Sequence, residues 1–136
     1  MNSEAMHALG MTIGKQLVGG EVIELVGDVG AGKTTLTKGI AAGMGVDEDV
    51  QSPSFTISRV YDADHDLRLA HYDFYRLHDP GIMADELRDT MHDPHAVTVV
   101  EWADIVTDVL PVGHIRVRIK PTSESSRSVV LEGMTV

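Results

Sequence analysis

The segment Glu21-Val22-Ile23-Glu24-Leu25-Val26-Gly27-Asp28-Val29-Gly30-Ala31-Gly32-Lys33-Thr34 decides the fold, because a Gly-x4-Gly-Lys-Thr pattern fills it from Gly27 to Thr34. An apolar run leads in and reads as a strand, and a helical pattern leads out from Lys33 to about Met44, where Gly45 is a natural stop. Glycines at 27, 30 and 32 permit backbone torsions and a close approach that side chains would block. Consecutive N–H groups can then point inward and, with the helix N-terminus, bind phosphate oxygens. Lys33 adds a point charge for the β/γ-phosphates, and the Thr34 hydroxyl suits Mg²⁺. The nucleotide-contacting candidates are therefore Gly27, Asp28, Val29, Gly30, Ala31, Gly32, Lys33, Thr34 and Thr35.

Outward from the loop, residues Ser3 to Leu17 repeat Ala5, Leu9, Ile13 and Leu17 at helical spacing, with Met6 filling in and Ser3 as N-cap. Gln51 to Tyr61 is expected to be extended, alternating Phe55, Ile57 and Val60-Tyr61, and Leu67 to Tyr72 returns as a hairpin. Asp79 to about Met91 reads as a short helix, with Asp79 as cap and Pro80 first in the helix. Ala96 to Val100 reads as a buried strand ending in Glu101-Trp102, and Asp104 to Leu110 as a helical turn. His114 to Lys120 and Ser128 to Val136 form a second hairpin. Strands alternating with helices, plus two hairpins, predict a single α/β domain over 1–136: a three-layer P-loop NTPase fold with a mixed parallel/antiparallel central sheet.

Mg²⁺ takes oxygen ligands and keeps several waters, so a hydroxyl with one or two carboxylates suffices. Glu101, behind the apolar run of 97–100, and Asp73, ending the strand before it, are the two candidates. Ser54 or Thr56, in the hydroxyl-rich segment Ser52-Pro53-Ser54-Phe55-Thr56, is placed to sense a γ-phosphate, though a polar loop leading into a strand has the same composition. No Asn-Lys-x-Asp element for guanine is present, which favours ATP. Trp102 either stacks on a base or packs the core. The seven histidines lack tight metal-ligand spacing and are read as structural or exposed.

The chain has 136 residues, no cysteine and a formal charge of -10, so a disulfide framework or Cys-ligated zinc is excluded. No secretory signal or spanning apolar run is visible, and a cytoplasmic protein without membrane contact is expected. Acidity of this degree steers phosphate polymers away, so any nucleic acid is expected to be handled by a partner; solubility alone would also account for it.

Four blocks together resemble the TsaE (YjeE) family of bacterial tRNA threonylcarbamoyladenosine biosynthesis. They are the loop with Thr35-Leu36, Ser52-Pro53-Ser54-Phe55-Thr56, His71-Tyr72-Asp73-Phe74-Tyr75-Arg76-Leu77, and Val100-Glu101-Trp102-Ala103. The resemblance covers nearly the whole chain. It implies a weak ATPase, using ATP and Mg²⁺, that works with a TsaB–TsaD complex and meets tRNA only indirectly. By position, Thr34 and Glu101 look like the Mg²⁺ ligands, and Lys33, Asp73 and Glu101 like the catalytic set, with Asp73 orienting the attacking water. Trp102 and Arg127 fall where the family has residues on the nucleotide side. Members often carry a short strand before the first helix, which this sequence lacks; a nucleotide contact from that segment and the start of the chain stay open. Where many members have Ser-Pro-Thr, this chain has Ser54 and keeps the hydroxyl. Two other readings stand beside this one: a small-molecule kinase, which normally needs a lid with arginines, and a nucleotide-dependent binding switch with incidental hydrolysis.

Overall fold

Val22–Val26 (β1) lies inside the sheet, hydrogen-bonded on both sides to parallel neighbours, and this places the glycine-rich loop that follows it at the middle of the sheet's C-terminal edge. The computed structural model describes residues 1–135 apart from Val29, Ala31, Ser52, 54–56, Arg76, His78 and Pro80. The other elements are α1 (Ser3–Gln16), α2 (Lys33–Met44), β2 (Ser58–Asp62), β3 (Arg68–Asp73), α3 (Gly81–Met91), β4 (Ala96–Glu101), a 3₁₀ helix (Ala103–Val109), β5 (Ile115–Pro121) and β6 (Arg127–Glu132). The sheet order is β2-β3-β4-β1-β5-β6, with β3, β4, β1 and β5 parallel and the two edge strands antiparallel. Parallel strands need both faces covered. Accordingly α1 and α2 pack with Ile23, Leu25, Leu69, Val97, Val99 and Val117 on one face. Leu87 of α3 and Val106 of the 3₁₀ helix pack with Ala70, Tyr72 and Val100 on the other. The expected mixed three-layer α/β fold is the one observed.

Because side chains alternate along a strand, the core partition extends to the polar residues at the strand ends. Leu69, His71 and Asp73 share the α2 face of β3, and Val97, Val99 and Glu101 share the same face of β4. Register pairs Asp73 with Glu101 and Leu25 with Glu101, so the acids finish level with the strand that feeds the loop.

Several local expectations shift. The cap of α1 is Asn2, whose extended backbone lets its Oδ1 accept the Ala5 N–H at 2.8 Å, not Ser3. Its buried stripe is Met6, Gly10, Ile13 and Gly14, while Ala5 is exposed. The reason is the partner: α1 lies on α2 through glycines at 10 and 14 against 39 and 43. A Cβ at Gly10 would sit 2.5 Å from the Leu36 carbonyl oxygen, and one at Gly14 would overlap the Ile40 carbonyl. The β2 hairpin begins at Ser58, later than expected. Ile57, which the alternation had placed in a strand, is left-handed at φ 69° and its N–H donates to Pro53 O at 2.7 Å; Phe55 lies outside the described residues. Asp79 accepts the Gly81 N–H at 3.1 Å, as a cap for α3 should, while Pro80 is likewise outside the described residues.

Gly14→Ala is expected to destabilise the fold by about 2 kcal/mol or more, since the backbone carbonyl it meets cannot rotate away as a side chain could. Lys38→Ala, exposed on α2, should stay within about 0.5 kcal/mol of the parent. Urea unfolding midpoints at constant m-value check both.

Candidate functional site

The loop takes its shape from two left-handed glycines, Gly30 (φ 80°) and Gly32 (φ 109°), the second being the N-cap of α2. Non-glycine residues resist that region. Val29 and Ala31 lie outside the described residues. Gly27 has no positive φ; its carbonyl oxygen instead accepts from Lys33 Nζ at 2.6 Å. Lys33 opens α2 and is buried at 6 % exposure, with Thr34 exposed beside it.

Three groups converge on the Lys33 ammonium. Glu101, itself 3 % exposed, brings Oε1 to 3.9 Å. The Trp102 ring centroid lies 4.0 Å from Nζ, a cation–π distance. Trp102 reaches this position because its backbone leaves β4 in the left-handed region at φ 54°, which turns the chain sharply just after Glu101. Tyr75 then stacks on Trp102, ring centroids 4.9 Å apart and tilted by 48°. Burial of the ammonium pushes the Lys33 pKa below its usual value, and the negative charges of Glu101, then Asp73, then Asp28 pull it back up.

Asp73 is held by its own turn. Its Oδ1 accepts the Tyr75 N–H at 3.0 Å and its backbone N–H donates to Ile57 O at 2.8 Å, while Phe74 N–H donates to Glu101 O at 3.1 Å. The ends of β3 and β4 are thus stitched together through main chain. His71, two residues before Asp73 on the same face, is fully buried and sets Nε2 2.5 Å from Glu101 Oε2. This histidine was grouped above with structural or exposed ones; its spacing of two from Asp73 on a strand is the signal that singles it out.

On the far side of the loop, a cleft of about 220 Å³ is lined by Asn2, Met6, Gly30, Gly32, Thr35 and Arg127, among others. Arg127 Nη2 donates to Gly30 O at 3.2 Å, so the second hairpin rests on the loop. The structure therefore brings Lys33, Asp73, Glu101 and Trp102 to one side of the loop and Thr35 and Arg127 to the other. Ser52, Ser54 and Thr56 lie outside the described residues. Among those described, no three His, Asp or Glu side chains form a metal cage. The carboxylates of Glu101 and Asp73 and the exposed Thr34 hydroxyl are hard oxygen donors, a set that suits Mg²⁺ better than softer metals.

A phosphate-binding loop after an inner parallel strand, with its lysine facing an acid at the end of the adjacent strand, defines a P-loop NTPase-type domain. Residues 1–129 match the family model described as threonylcarbamoyl adenosine biosynthesis protein TsaE, and the chain belongs to the TsaE family. It is 40% identical over 110 residues to the tRNA threonylcarbamoyladenosine biosynthesis protein TsaE of Bacillus subtilis, covering 81% of this chain and 68% of that one. Against the protein of the same description from Streptomyces coelicolor it is 38% identical over 137 residues, covering 95% and 90%. The crystal structure of Bacillus subtilis YdiB superposes with a TM-score of 0.75 at 34% identity, over 95% of this chain and 78% of that one. Among the described residues no helix is long and apolar enough to cross a membrane.

Glu101 is the largest of the charges that hold the Lys33 ammonium ionised, ahead of Asp73. Glu101→Gln should therefore lower the Lys33 pKa further, and by more than Asp73→Asn does. A carbon-13 NMR titration of the Lys33 Cε checks the order.

Proposed function

We propose that this protein binds Mg-ATP in its phosphate loop, hydrolyses it slowly, and acts with a TsaB–TsaD complex in forming threonylcarbamoyladenosine at position 37 of tRNA. The observation that carries the reading is the buried Glu101 set 3.9 Å from Lys33 Nζ, at the end of the strand beside the one that feeds the loop. In this reading Gly27, Asp28, Val29, Gly30, Ala31, Gly32 and Thr35 wrap the phosphates with main-chain N–H groups. Lys33 leaves the Gly27 carbonyl for phosphate oxygens, exchanging a neutral acceptor for charged ones. Thr34 and Glu101 would hold Mg²⁺, which when bound neutralises charge on the β- and γ-phosphates. Asp73, whose Oδ1 is held by the Tyr75 N–H, orients the attacking water. Trp102 and Arg127 flank the nucleotide from opposite sides of the loop.

The TsaE proteins of Bacillus subtilis and Streptomyces coelicolor carry tRNA threonylcarbamoyladenosine biosynthesis in their names, and the acidic chain, at -10, suits a protein that leaves tRNA to its partners. A kinase lid is poorly supported. The helix available for one, α3, has a single arginine, Arg88, bound to Asp85 within the same helix at 2.9 Å.

Lys33→Ala is expected to weaken ATP binding at least about tenfold, the loss of a charge-assisted hydrogen bond, and to abolish tRNA threonylcarbamoyladenosine formation in depleted cells. Calorimetry and nucleoside analysis of bulk tRNA check the two. ATP turnover should rise when a cognate TsaB–TsaD complex is added; no stimulation would remove the partner half of the proposal. Since the charged ammonium is the form that binds phosphate, and burial lowers its pKa, affinity should fall as pH rises through that lowered value. The alkaline limb should thus begin below the range of an exposed lysine.

A further inference from the structure

We infer that His71 is the residue that positions Glu101, donating a fixed hydrogen bond to one carboxylate oxygen so that the other faces the phosphate end of the loop. This inference rests on the Mg-ATP reading above. The two oxygens of Glu101 have different neighbours: Oε2 is 2.5 Å from His71 Nε2, and Oε1 is 3.9 Å from Lys33 Nζ. The imidazole is fully buried, and its Nδ1 has no hydrogen-bond partner among the described residues.

The carboxylate only accepts, so its contact with Nε2 places a proton on that nitrogen. With the proton on Nδ1, a buried N–H would go unpaired while the Nε2 lone pair faced a carboxylate. A buried donor without an acceptor is costly, so the Nε2 proton is the one the geometry requires, donated to Glu101. A donor fixed on the opposite oxygen holds the carboxylate in place and leaves Oε1 turned to the cation. The same bond couples the two acids. His71 and Asp73 share one face of β3, and Asp73 pairs with Glu101 in the parallel register. Fixing Glu101 to β3 therefore fixes it relative to Asp73. A histidine serving only to fill the core would not need its polar edge against the one acid nearest Lys33.

The test compares ATP affinity by calorimetry with Mg²⁺ and with EDTA, in the wild type and in two variants. His71→Gln restores a donor near the Nε2 position; His71→Leu keeps bulk and removes the donor. Expected is a loss of about tenfold or more in the Mg-dependent part of ATP affinity for His71→Leu, Mg-free affinity near wild type, and recovery in His71→Gln. A His71→Leu protein that keeps the full Mg²⁺ increment overturns the inference, as does a His71→Gln protein as impaired as His71→Leu. Should His71→Leu fail to fold, nitrogen-15 NMR of the wild-type imidazole decides: a proton on Nε2 supports the assignment, and an unprotonated Nε2 overturns it. If Mg²⁺ leaves wild-type ATP affinity unchanged, the Mg-ATP reading itself fails, whereas a wild-type Mg²⁺ effect that survives His71→Leu sinks only the role of His71.

Discussion

A lysine ammonium taken out of water must be compensated, and the organisation of this molecule around Lys33 follows from that requirement. Desolvation works against the charge. The Gly27 carbonyl, the Glu101 carboxylate and the Trp102 ring face offset it from three directions. Each of those groups makes its own demand. Glu101 is buried too and needs a donor, which His71 supplies. Trp102 reaches the ammonium only through a left-handed backbone, and its exposed side is covered by Tyr75. In this way one charge at the start of α2 accounts for the conformation of residues at the ends of β3 and β4.

That arrangement also depends on where α2 begins, and α2 is located by α1. Two pairs of glycines let the helix backbones touch, and the contact leaves no room for a methyl group at any of the four positions. Hydrophobic periodicity alone would have allowed α1 several seats on the sheet. The glycines select the one in which Met6 reaches the loop, where its terminal methyl lies 3.5 Å from the place a Cβ on Gly32 would occupy. Packing in the N-terminal layer and chemistry at the sheet edge are thus parts of a single fit.

Much of this was legible in the sequence because its signals are local. The Gly-x4-Gly-Lys-Thr pattern lies between an apolar strand and a helix that ends at Gly45, and the structure places α2 at Lys33–Met44 with Gly45 left-handed at φ 84°. Ala96 to Glu101 reads as buried, and every residue of β4 is. What escaped the reading depends on neighbours distant in the chain. The exposure of Ala5 follows from the glycines of a helix about thirty residues later, and helical spacing carries no record of a partner without side chains. His71 was passed over because histidines were weighed against one another for metal spacing, while its partner is a glutamate thirty residues away. Ile57 sits in a stretch whose β-branched, alternating composition favours strand, yet its own backbone is left-handed and its N–H donates to Pro53 O. The Asp73 N–H donates to Ile57 O at 2.8 Å, and that tertiary hydrogen bond prevails over local propensity.

The glycine contact between α1 and α2 has a mechanical side. Ordinary helix pairs are separated by side chains that change rotamer and absorb small displacements, like a cushion between two rods. Here main chain rests on main chain at Gly10, Gly14, Gly39 and Gly43, and nothing between them can be compressed. At these four sites the spacing of the two helices is set by backbone alone, with no rotamer left to adjust it.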